Sequence, residues 1–471
     1  MSTEIKIIPR PATRTKHADI IVADIGSTIT KISAFSGLSA GRNASFLGQG
    51  LGLTTVAEGD VAQGLEAARK DLEKRLGVST RDAALMAASS AAGGLRMTVH
   101  GLTRDMTLRA AREASLGAGA IVSFTTAGKI YPDAMEEVRR IKPNIILLAG
   151  GVDYGDRDIV MANARCLASL KLDIPLVYAG NKTVRRDIRR LFESAGMPVF
   201  IVENVYPRID ELNIDPVRKV IQDVFARHIV TAPGMENVRK IVRDDIIPTP
   251  GAVMRATEIL AETLGDVMTV DVGGATTDVH SVTEGSPELL KMMIAPEPRS
   301  KRTVEGDLGV YINAPRIVEA AGSELGQVDD VRPIPETAGE RENSARLARW
   351  AVDISIWRHA GQLRVAYGAY GRNELVEGRD LSAVRHVIGT GGALTRLGMG
   401  MEILHNIKSD PRKSKLLPHH DAVVYLDRNN IMAAAGVLSQ RYPKEALALL
   451  LKSIGYLKNQ DDSFNLGKTA G

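Results

Sequence analysis

A short aspartate–glycine motif occurs twice in this chain, 247 positions apart, and it constrains the fold more than any other feature. Both copies read aspartate, apolar residue, glycine, small residue, with a threonine six positions after the aspartate: Asp24-Ile-Gly-Ser-Thr-Ile-Thr30 and Asp271-Val-Gly-Gly-Ala-Thr-Thr277. Each copy follows one apolar run and precedes another, which predicts a strand, a tight turn and a second strand. One copy alone is weak evidence, because such a turn is often purely structural. Two copies in opposite halves predict a duplicated site.

The residue types in both copies suit phosphate groups and metal ions. A turn without bulky side chains lets backbone N–H groups point at phosphate oxygens, and serine and threonine hydroxyls add donors. A carboxylate at the end of a strand can hold Mg²⁺, usually through the water ligands of the ion. The two motifs therefore indicate a pair of phosphate-binding turns, one in each half of the chain.

Two later segments complete the pattern. The apolar run at Val387-Ile388 ends in Gly389-Thr-Gly-Gly392, a turn that permits close backbone approach to a base and ribose. The segment from Asp427 to Gly436 predicts a helix with a face of small residues, Ala433 to Gly436. Small faces let two helices cross closely, as a hinge between two lobes requires.

The section from about 119 to 203 alternates regularly between apolar strands and amphipathic helices. Strands separated by helices of this length predict a parallel sheet covered on both faces. We interpret this section as the body or an insert of the first lobe. Before it, helical spacing begins after Asp60, a predicted N-cap, and ends at Gly77.

The chain of 471 residues is longer than one compact domain, so we expect two lobes. We predict a basic N-terminal tail (1–17), lobe I (18–250, including the section 119–203), lobe II (251–458) and a polar C-terminal tail (459–471). Pro248 to Gly251 is interpreted as a break before a helix from Met254 to Leu264. The polar, proline-bearing stretch 327–345 predicts a surface loop.

Composition excludes several classes of function. The net charge is only +4 and aromatic residues are 4% of the chain, so we expect no nucleic-acid partner. No apolar run is long enough to cross a membrane, and the N-terminus lacks the apolar core of a signal peptide. Cys166 is the single cysteine, which excludes an intramolecular disulfide. We therefore expect a cytoplasmic protein without a membrane partner; a homodimer is compatible with the sequence.

The four segments, in this order, resemble the two phosphate loops, the adenosine loop and the hinge of the actin–Hsp70–sugar-kinase superfamily. The resemblance implies an α/β fold, that of a two-lobed actin-like (ribonuclease H-like) ATPase with ATP and Mg²⁺ in the cleft between the lobes. It implies Asp24 and Asp271 as metal-binding and catalytic residues. It implies the following cofactor-binding residues: Gly26, Ser27, Thr28, Gly273, Gly274, Thr276, Gly389, Thr390, Gly391 and Gly392. Ala275 departs from the chaperone members, which usually carry a third glycine there.

Further motifs narrow the family. Ser89-Ser-Ala-Ala-Gly-Gly94, Leu148-Ala-Gly-Gly-Val-Asp153, and the extension of the two turns to Lys31 and to Asp278 look like those of the glutamate mutase accessory (GlmL, or MutL) family. The resemblance covers roughly residues 18 to 455. It implies an ATP-dependent reactivating chaperone, a slow Mg²⁺-dependent ATPase, whose partners are the subunits of an adenosylcobalamin-dependent mutase. Lys31 and Ala275 are further candidate cofactor-binding residues, and Asp278 is a further candidate catalytic residue that would orient water. The alternatives are that Lys31 is a charged residue at a strand end and that Asp278 is a structural carboxylate.

Three other classes share parts of this pattern. A small-molecule kinase, or an ATP-dependent hydrolase of the hydantoinase–oxoprolinase type, would need a substrate base, for which Asp153 and Glu203 are candidates. A reductive activator would need an iron–sulfur cluster, which Cys166 alone cannot ligate. An actin-like filament would need a self-complementary head-to-tail surface, which a sequence does not reveal.

Overall fold

The computed structural model describes residues 16–38, 44–55, 60–90, 95–228, 235–242, 244–326, 328, 330–368, 371–407, 410 and 414–456. The predicted C-terminal tail and most of the predicted N-terminal tail lie outside these residues, as do Gly93 and Gly94. Lys16 and His17, the end of the predicted N-terminal tail, form a short strand that pairs with residues 78–79. The domain limits given above remain predictions.

The described residues form strands and helices in regular alternation. The strands are β1 (Lys16–His17), β2 (Ile20–Ile25), β3 (Ile29–Ser36), β4 (Ser45–Leu53), β5 (Val78–Ser79), β6 (Ala84–Ser89), β7 (Arg96–Gly101), β8 (Ile121–Ala127), β9 (Ile145–Leu148), β10 (Leu176–Tyr178), β11 (Val199–Ile201), β12 (Ile247–Pro248), β13 (Val267–Val272), β14 (Thr277–Val282), β15 (Ser300–Glu305), β16 (Gln362–Gly368), β17 (Gly371–Glu377), β18 (His386–Thr390) and β19 (Val423–Leu426). The helices are α1 (Val61–Leu76), α2 (Arg109–Gly117), α3 (Pro132–Ile141), α4 (Asp158–Ser169), α5 (Arg185–Ser194), α6 (Asp215–His228), α7 (Met235–Ile241), α8 (Thr249–Leu264), α9 (Pro287–Leu290), α10 (Ala314–Ala321), α11 (Ala338–His359), α12 (Gly392–Thr395), α13 (Gly400–His405), α14 (Met432–Leu438) and α15 (Pro443–Ser453).

Two five-stranded sheets repeat one topology. The lobe I sheet has the order β4-β3-β2-β6-β12, and the lobe II sheet has the order β15-β14-β13-β18-β19. In each, the first three strands in chain order form an antiparallel meander, and the last two pair in parallel beside the first. The two aspartate–glycine motifs therefore occupy the same place in both sheets, at the turn between the first and second strands.

The third five-stranded sheet, the parallel sheet, is formed by chain inserted between β6 and β12. Its order is β8-β7-β9-β10-β11, and all of its strands are parallel. This confirms the parallel sheet predicted for 119–203, with β7 added before it. Buried apolar residues from β9, α4, α5 and β10 pack together on one of its faces.

Helices α8 and α14 cross between the two lobe sheets. Ala252 and Val253 of α8 share one apolar core with α14, with Ile20 and Val22 of lobe I and with Ile388 of lobe II. At the crossing, a β-carbon on Gly436 would lie 1.9 Å from the Ala252 carbonyl oxygen, so only glycine fits there. The prediction of a small-residue face for close helix crossing is confirmed.

Most local predictions hold, but two fail, and the helix predicted from Asp427 begins only at Met432. Asp60 caps α1 by accepting a hydrogen bond from the Ala62 N–H, and Gly77 ends it at φ 61°. The predicted break at Pro248–Gly251 is wrong, because Pro250 lies in the first turn of α8, where its missing N–H costs no helix hydrogen bond. The predicted loop 327–345 is wrong from Ala338 onward, where a capping box at Thr337 starts α11.

No helix within the described part of the chain is both long and apolar enough to span a membrane.

Candidate functional site

The two aspartate–glycine turns have the same hydrogen-bonding geometry. In the first, the Gly26 N–H donates to the Ile29 carbonyl over 3.1 Å; in the second, the Gly273 N–H donates to the Thr276 carbonyl over 3.0 Å. A β-carbon at position 26 would lie 2.7 Å from the carbonyl oxygen that closes its turn. Glycine is therefore required at this position, and the turn is the tight one expected from the sequence.

Both turns face one cavity of about 390 Å³ between the lobes. The structure brings the predicted residues together in its lining, with the exception of Gly389: Asp24, Gly26, Ser27, Thr28, Lys31, Asp271, Gly273, Gly274, Ala275, Thr276, Asp278, Thr390, Gly391 and Gly392. A β-carbon on Gly389 would meet the side chains of Leu394, Leu404 and Leu426, so this glycine faces the apolar core. The duplicated motif thus forms one site from two distant parts of the chain.

The third glycine loop lies against the second aspartate. Gly391 has φ 85°, and a β-carbon there would lie 2.4 Å from the Val272 carbonyl oxygen and 2.5 Å from Oδ1 of Asp271. Gly392, which begins α12, has no atom within 4 Å of where its β-carbon would lie. The hydroxyl of Thr390 donates to Oδ2 of Asp427 over 2.9 Å, which joins this loop to the segment before α14.

Asp24 is already paired within the protein. Its Oδ2 lies 3.3 Å from Nζ of Lys31, and its Oδ1 accepts a hydrogen bond of 2.8 Å from the Thr249 hydroxyl. Lys31 also donates to the Asn430 carbonyl over 3.0 Å. Asp24 is therefore linked through Thr249 to the start of α8, and Lys31 links it to the segment before α14.

Asp271 carries the most perturbed carboxyl group of the site. Burial, together with the nearby carboxylates Asp278, Asp24 and Asp427, raises its pKa from 3.8 to about 7, against the opposing effect of Lys31. Asp427 is fully buried behind the cavity, and burial raises its pKa as well. With a pKa near neutral pH, Asp271 is the carboxyl group of the site whose charge a bound cation would shift most readily.

Asp278 is held by a buried arginine. Nε and Nη2 of Arg302 lie 2.8 and 2.6 Å from its Oδ1, while the Thr276 hydroxyl donates to its Oδ2 over 3.1 Å. The Arg302 side chain is only 1% exposed and belongs to β15. Asp278 therefore has a fixed orientation, with one oxygen occupied by the guanidinium group and the other directed toward the second turn.

The donors and charges of the cavity fit a nucleotide with a divalent cation. The hydroxyl oxygen of Thr28 is buried without a hydrogen-bond partner among the described residues, on the first turn and facing Gly274 of the second. A buried hydroxyl without a partner is costly, and a phosphate oxygen would satisfy it. Near the two turns, four aspartates are opposed by Lys31 and Arg302, an arrangement that suits a divalent cation, and Arg332, Arg341 and Arg396 also line the cavity, where they would suit the phosphates.

Several residues that support the site were missed from the sequence. Gly309 packs against the second turn: a β-carbon there would lie 2.2 Å from the carbonyl carbon of Ala275. Nδ2 of Asn313 donates to the Ala275 carbonyl over 2.7 Å, and the N–H of Tyr311 donates to the Gly274 carbonyl over 2.9 Å. These contacts hold the turn in which Ala275 replaces the usual glycine. Their positions follow from the tertiary structure, and no local sequence signal identifies them.

The candidate substrate bases of the alternative enzymes do not line the cavity. Asp153 accepts hydrogen bonds from the backbone N–H of Lys182 and from Nδ2 of Asn204, both over 3.0 Å. Glu203 pairs with Arg185 over 3.0 Å. Both carboxylates follow strands of the parallel sheet, and each has a partner there.

The duplicated sheet order, the paired glycine turns and the crossing helices define the class as a two-lobed, actin-like ATPase fold. The sequence model of the MutL protein family matches residues 20–454. Protein MutL of Clostridium tetanomorphum is 34% identical over 458 residues, which cover 92% of this chain and 98% of that protein. The chain therefore belongs to the MutL family, as the sequence motifs had indicated.

Solved structures with lower similarity were also found. Nucleotide-free acetone carboxylase has a TM-score of 0.36 at 11% identity, covering 90% of this chain and 70% of that one. The nucleotide-free diol dehydratase-reactivating factor has a TM-score of 0.34 at 10% identity, covering 90% of this chain and 100% of that one.

Proposed function

We propose that this protein is an ATP-dependent accessory factor that reactivates an adenosylcobalamin-dependent mutase of the glutamate mutase type. The observation that carries the proposal is the pairing of two aspartate–glycine turns, one from each lobe, across a single cavity. Membership of the MutL family supports the accessory role. The single cysteine fits a cytoplasmic site of action.

The residues that would hold Mg²⁺ and ATP follow from the geometry. The turns at Gly26 and at Gly273–Gly274 would hold the phosphates together with the Thr28 hydroxyl. Asp24 and Asp271 would hold the ion through its water ligands. Gly391 and Gly392 would lie beside the adenosine. Bound Mg²⁺ would neutralise charge on the phosphoryl group of ATP, so slow hydrolysis would need little else from the protein.

The residues of this chain then account for a mechanical cycle. Asp24 belongs to lobe I and Asp271 to lobe II, so a nucleotide that binds both turns at once would favour the closed cleft. Loss of the contacts between the nucleotide and one turn would favour reopening. The crossing helices α8 and α14 are the elements about which the lobes would turn. A mutase bound across both lobes would experience this motion and release its damaged cobalamin.

The test uses the purified full-length protein and a mutase whose cobalamin has been inactivated, with Mg²⁺ and ATP. Phosphate release and recovered mutase activity are measured together. We expect recovery that requires ATP and that is lost in Asp271→Ala. The matched control is Glu319→Ala, because Glu319 is an exposed carboxylate of the same lobe whose ion pair, among the residues that the structure describes, is with Arg316.

Two results would contradict the proposal. Nucleotide binding without recovery of any mutase, together with rapid phosphorylation or hydrolysis of a small metabolite, would favour the kinase or hydrolase class instead. Absence of nucleotide binding would overturn the assignment of the cavity itself.

A further inference from the structure

One turn of the inserted chain contacts elements of both lobes. It connects α2 to β8 and comprises residues 116–120, called here the α2–β8 turn. It does not line the cavity. Its backbone nevertheless contacts a residue that binds the lobe II carboxylate Asp278 and a segment that binds the lobe I carboxylate Asp24.

On the lobe II side, the contact is made by Arg302. Two of its nitrogens bind Asp278, and its remaining terminal nitrogen, Nη1, donates to the carbonyls of Leu116 and Ala120 over 3.0 and 3.2 Å. Arg302 therefore also caps the C-terminal end of α2, where a cation complements the exposed carbonyls. A single rigid guanidinium group thus joins a cavity carboxylate to the turn that leads into β8 of the parallel sheet.

On the lobe I side, the contact is made by the start of α8. Gly119 has φ 95°, and a β-carbon there would lie 2.7 Å from Cβ of Pro248 and 2.9 Å from the Gly251 nitrogen. In return, a β-carbon on Gly251 would lie 3.0 Å from the Ala118 carbonyl oxygen. Thr249, between Pro248 and Gly251, donates to Asp24. The backbones are packed without space between them.

Helix α2 is fixed to the lobe II sheet by a further buried ionic cluster. Lys301 lies 3.3 Å from Glu113 of α2 and 2.6 Å from Glu297, and Arg109 of α2 lies 3.2 Å from Glu297. The ionic residues of α2 are therefore bound to lobe II, whereas its buried Ala110, Ala111 and Ala114 share an apolar core with lobe I and the parallel sheet. Gly119 packs against chain that leads out of the lobe I sheet. Relative movement of the lobes must then change the contacts of α2 and of the α2–β8 turn.

We propose that the α2–β8 turn transmits the state of the cleft to the parallel sheet, with Arg302 as the positioning residue that couples them. This inference rests on the proposed function, because it assumes that a nucleotide changes the distance between the lobes. The parallel sheet is then the part of the protein that moves in response to the cleft. Close packing converts a small change at the carboxylates into a discrete displacement of the turn.

The experiment is amide hydrogen exchange of the full chain, with and without Mg²⁺ and a non-hydrolysable ATP analogue. We expect slower exchange at both glycine turns, and a change of roughly fivefold or more at residues 116–127, a typical size for coupled sites. In Arg302→Lys, which keeps the charge but loses the planar fork, the glycine turns should still be protected. The change at 116–127 should be lost.

The matched control is Arg379→Lys. Arg379 is a similarly buried arginine of lobe II, but within the described part of the chain its guanidinium group donates to lobe II acceptors, at Ser281, Pro298 and Arg299. This variant should retain both effects. A thermal unfolding curve for each variant separates loss of coupling from loss of the fold, and the wild-type comparison is decisive even if Arg302→Lys does not fold.

The outcomes are distinct. Protection of the glycine turns without any change at 116–127 overturns this inference alone, as does an undiminished change in Arg302→Lys. Absence of protection at the glycine turns overturns the proposed function and this inference with it.

Discussion

Lys31 and Asp278 occupy the same position in the two halves of the protein, yet they carry opposite charges. Lys31 is the strand partner of Asp24 in the first hairpin, and Asp278 is the strand partner of Asp271 in the second. The aspartate of lobe I is therefore neutralised by its neighbour, whereas the aspartate of lobe II faces another carboxylate. The two turns share a backbone geometry but differ in electrostatics, and the lobe II turn is the more acidic of the two.

The perturbed pKa of Asp271 predicts a pH-dependent stability. The folded-state pKa of about 7 lies above the ordinary value of 3.8, so the folded state is stabilised when Asp271 is protonated. This stabilisation is fully present below the ordinary pKa and is lost as the pH rises through the folded-state pKa. In Asp271→Asn, the free energy of unfolding measured from pH 4 to 8 should lose this dependence, a difference on the order of 1 kcal/mol after screening by water in the cavity. An unaltered pH profile would contradict the assignment; Glu319→Gln, at an exposed carboxylate, is the control and should change nothing.

Mg²⁺ should compete with the proton on Asp271. The ion is therefore expected to stabilise the wild-type protein more at pH 8 than at pH 6, as measured by the shift in melting temperature at a fixed Mg²⁺ concentration. Asp271→Asn should show a smaller shift that does not depend on pH. A shift in this variant equal to that of the wild type would show that the ion binds elsewhere.

Removing the Lys31 charge should destabilise the protein strongly. Lys31→Met leaves Asp24 without its ion-pair partner in a largely buried position and removes the hydrogen bond to the Asn430 carbonyl. We expect a loss of about 3 kcal/mol in the free energy of unfolding, measured by denaturant titration. Lys70→Met breaks an exposed pair with Glu66 and should cost less than about 0.5 kcal/mol. Equal losses in the two variants would argue against the structural role of Lys31.

Alanine substitutions at Gly391 and Gly398 distinguish the effect of a steric clash from that of backbone strain alone. Both have positive φ, at 85° and 81°. A β-carbon on Gly391 would collide with Val272 and Asp271, whereas a β-carbon on Gly398 would have no atom within 4 Å. Gly398→Ala should cost about 1 kcal/mol of stability and leave nucleotide affinity unchanged. Gly391→Ala should displace Asp271 and weaken nucleotide binding at least tenfold by calorimetry, which corresponds to about 1.4 kcal/mol. Unchanged affinity in Gly391→Ala would contradict the geometry of the third loop.

The crossing of α8 and α14 makes a similar prediction for helical glycines. Gly436→Ala places a methyl group against the Ala252 carbonyl, so it should cost more than about 2 kcal/mol and lower the melting temperature. Gly339→Ala lies near the start of α11 with open space around it, and should be neutral or stabilising by up to about 1 kcal/mol. The opposite order of stabilities would mean that the hinge helices are not in contact in solution.

The turns and sheets were predictable because their signals are local. The aspartate, the glycine and the flanking apolar runs specify a hairpin by themselves, and its repetition indicated a shared site. The first turn of α8 was missed because prolines were interpreted as a break, although proline is favoured in a first helical turn. The capping box at Thr337 was a local signal that the interpretation as a loop overlooked.

The support around the cavity was not predictable from local patterns. Arg302 stands in a short basic stretch that reads as an ordinary exposed strand, and its burial depends on α2, which lies almost two hundred positions earlier in the chain. Thr249 bonds an aspartate 225 positions away. Gly389 shows the converse: the glycine-rich pattern was correct, but only the tertiary structure distinguishes a glycine facing the core from one facing the cavity.

The insertion of the parallel sheet between β6 and β12 determines when lobe I can be completed during synthesis. Strands β2 to β6 can pair as soon as they are made, but β12 joins β6 only after the intervening chain has emerged, and α14 packs beneath this sheet later still. Closing so long an interval is slow relative to local pairing. The edge of β6 to which β12 pairs is therefore exposed on the ribosome until β12 has emerged. Misassembly of this protein is to be expected during that interval.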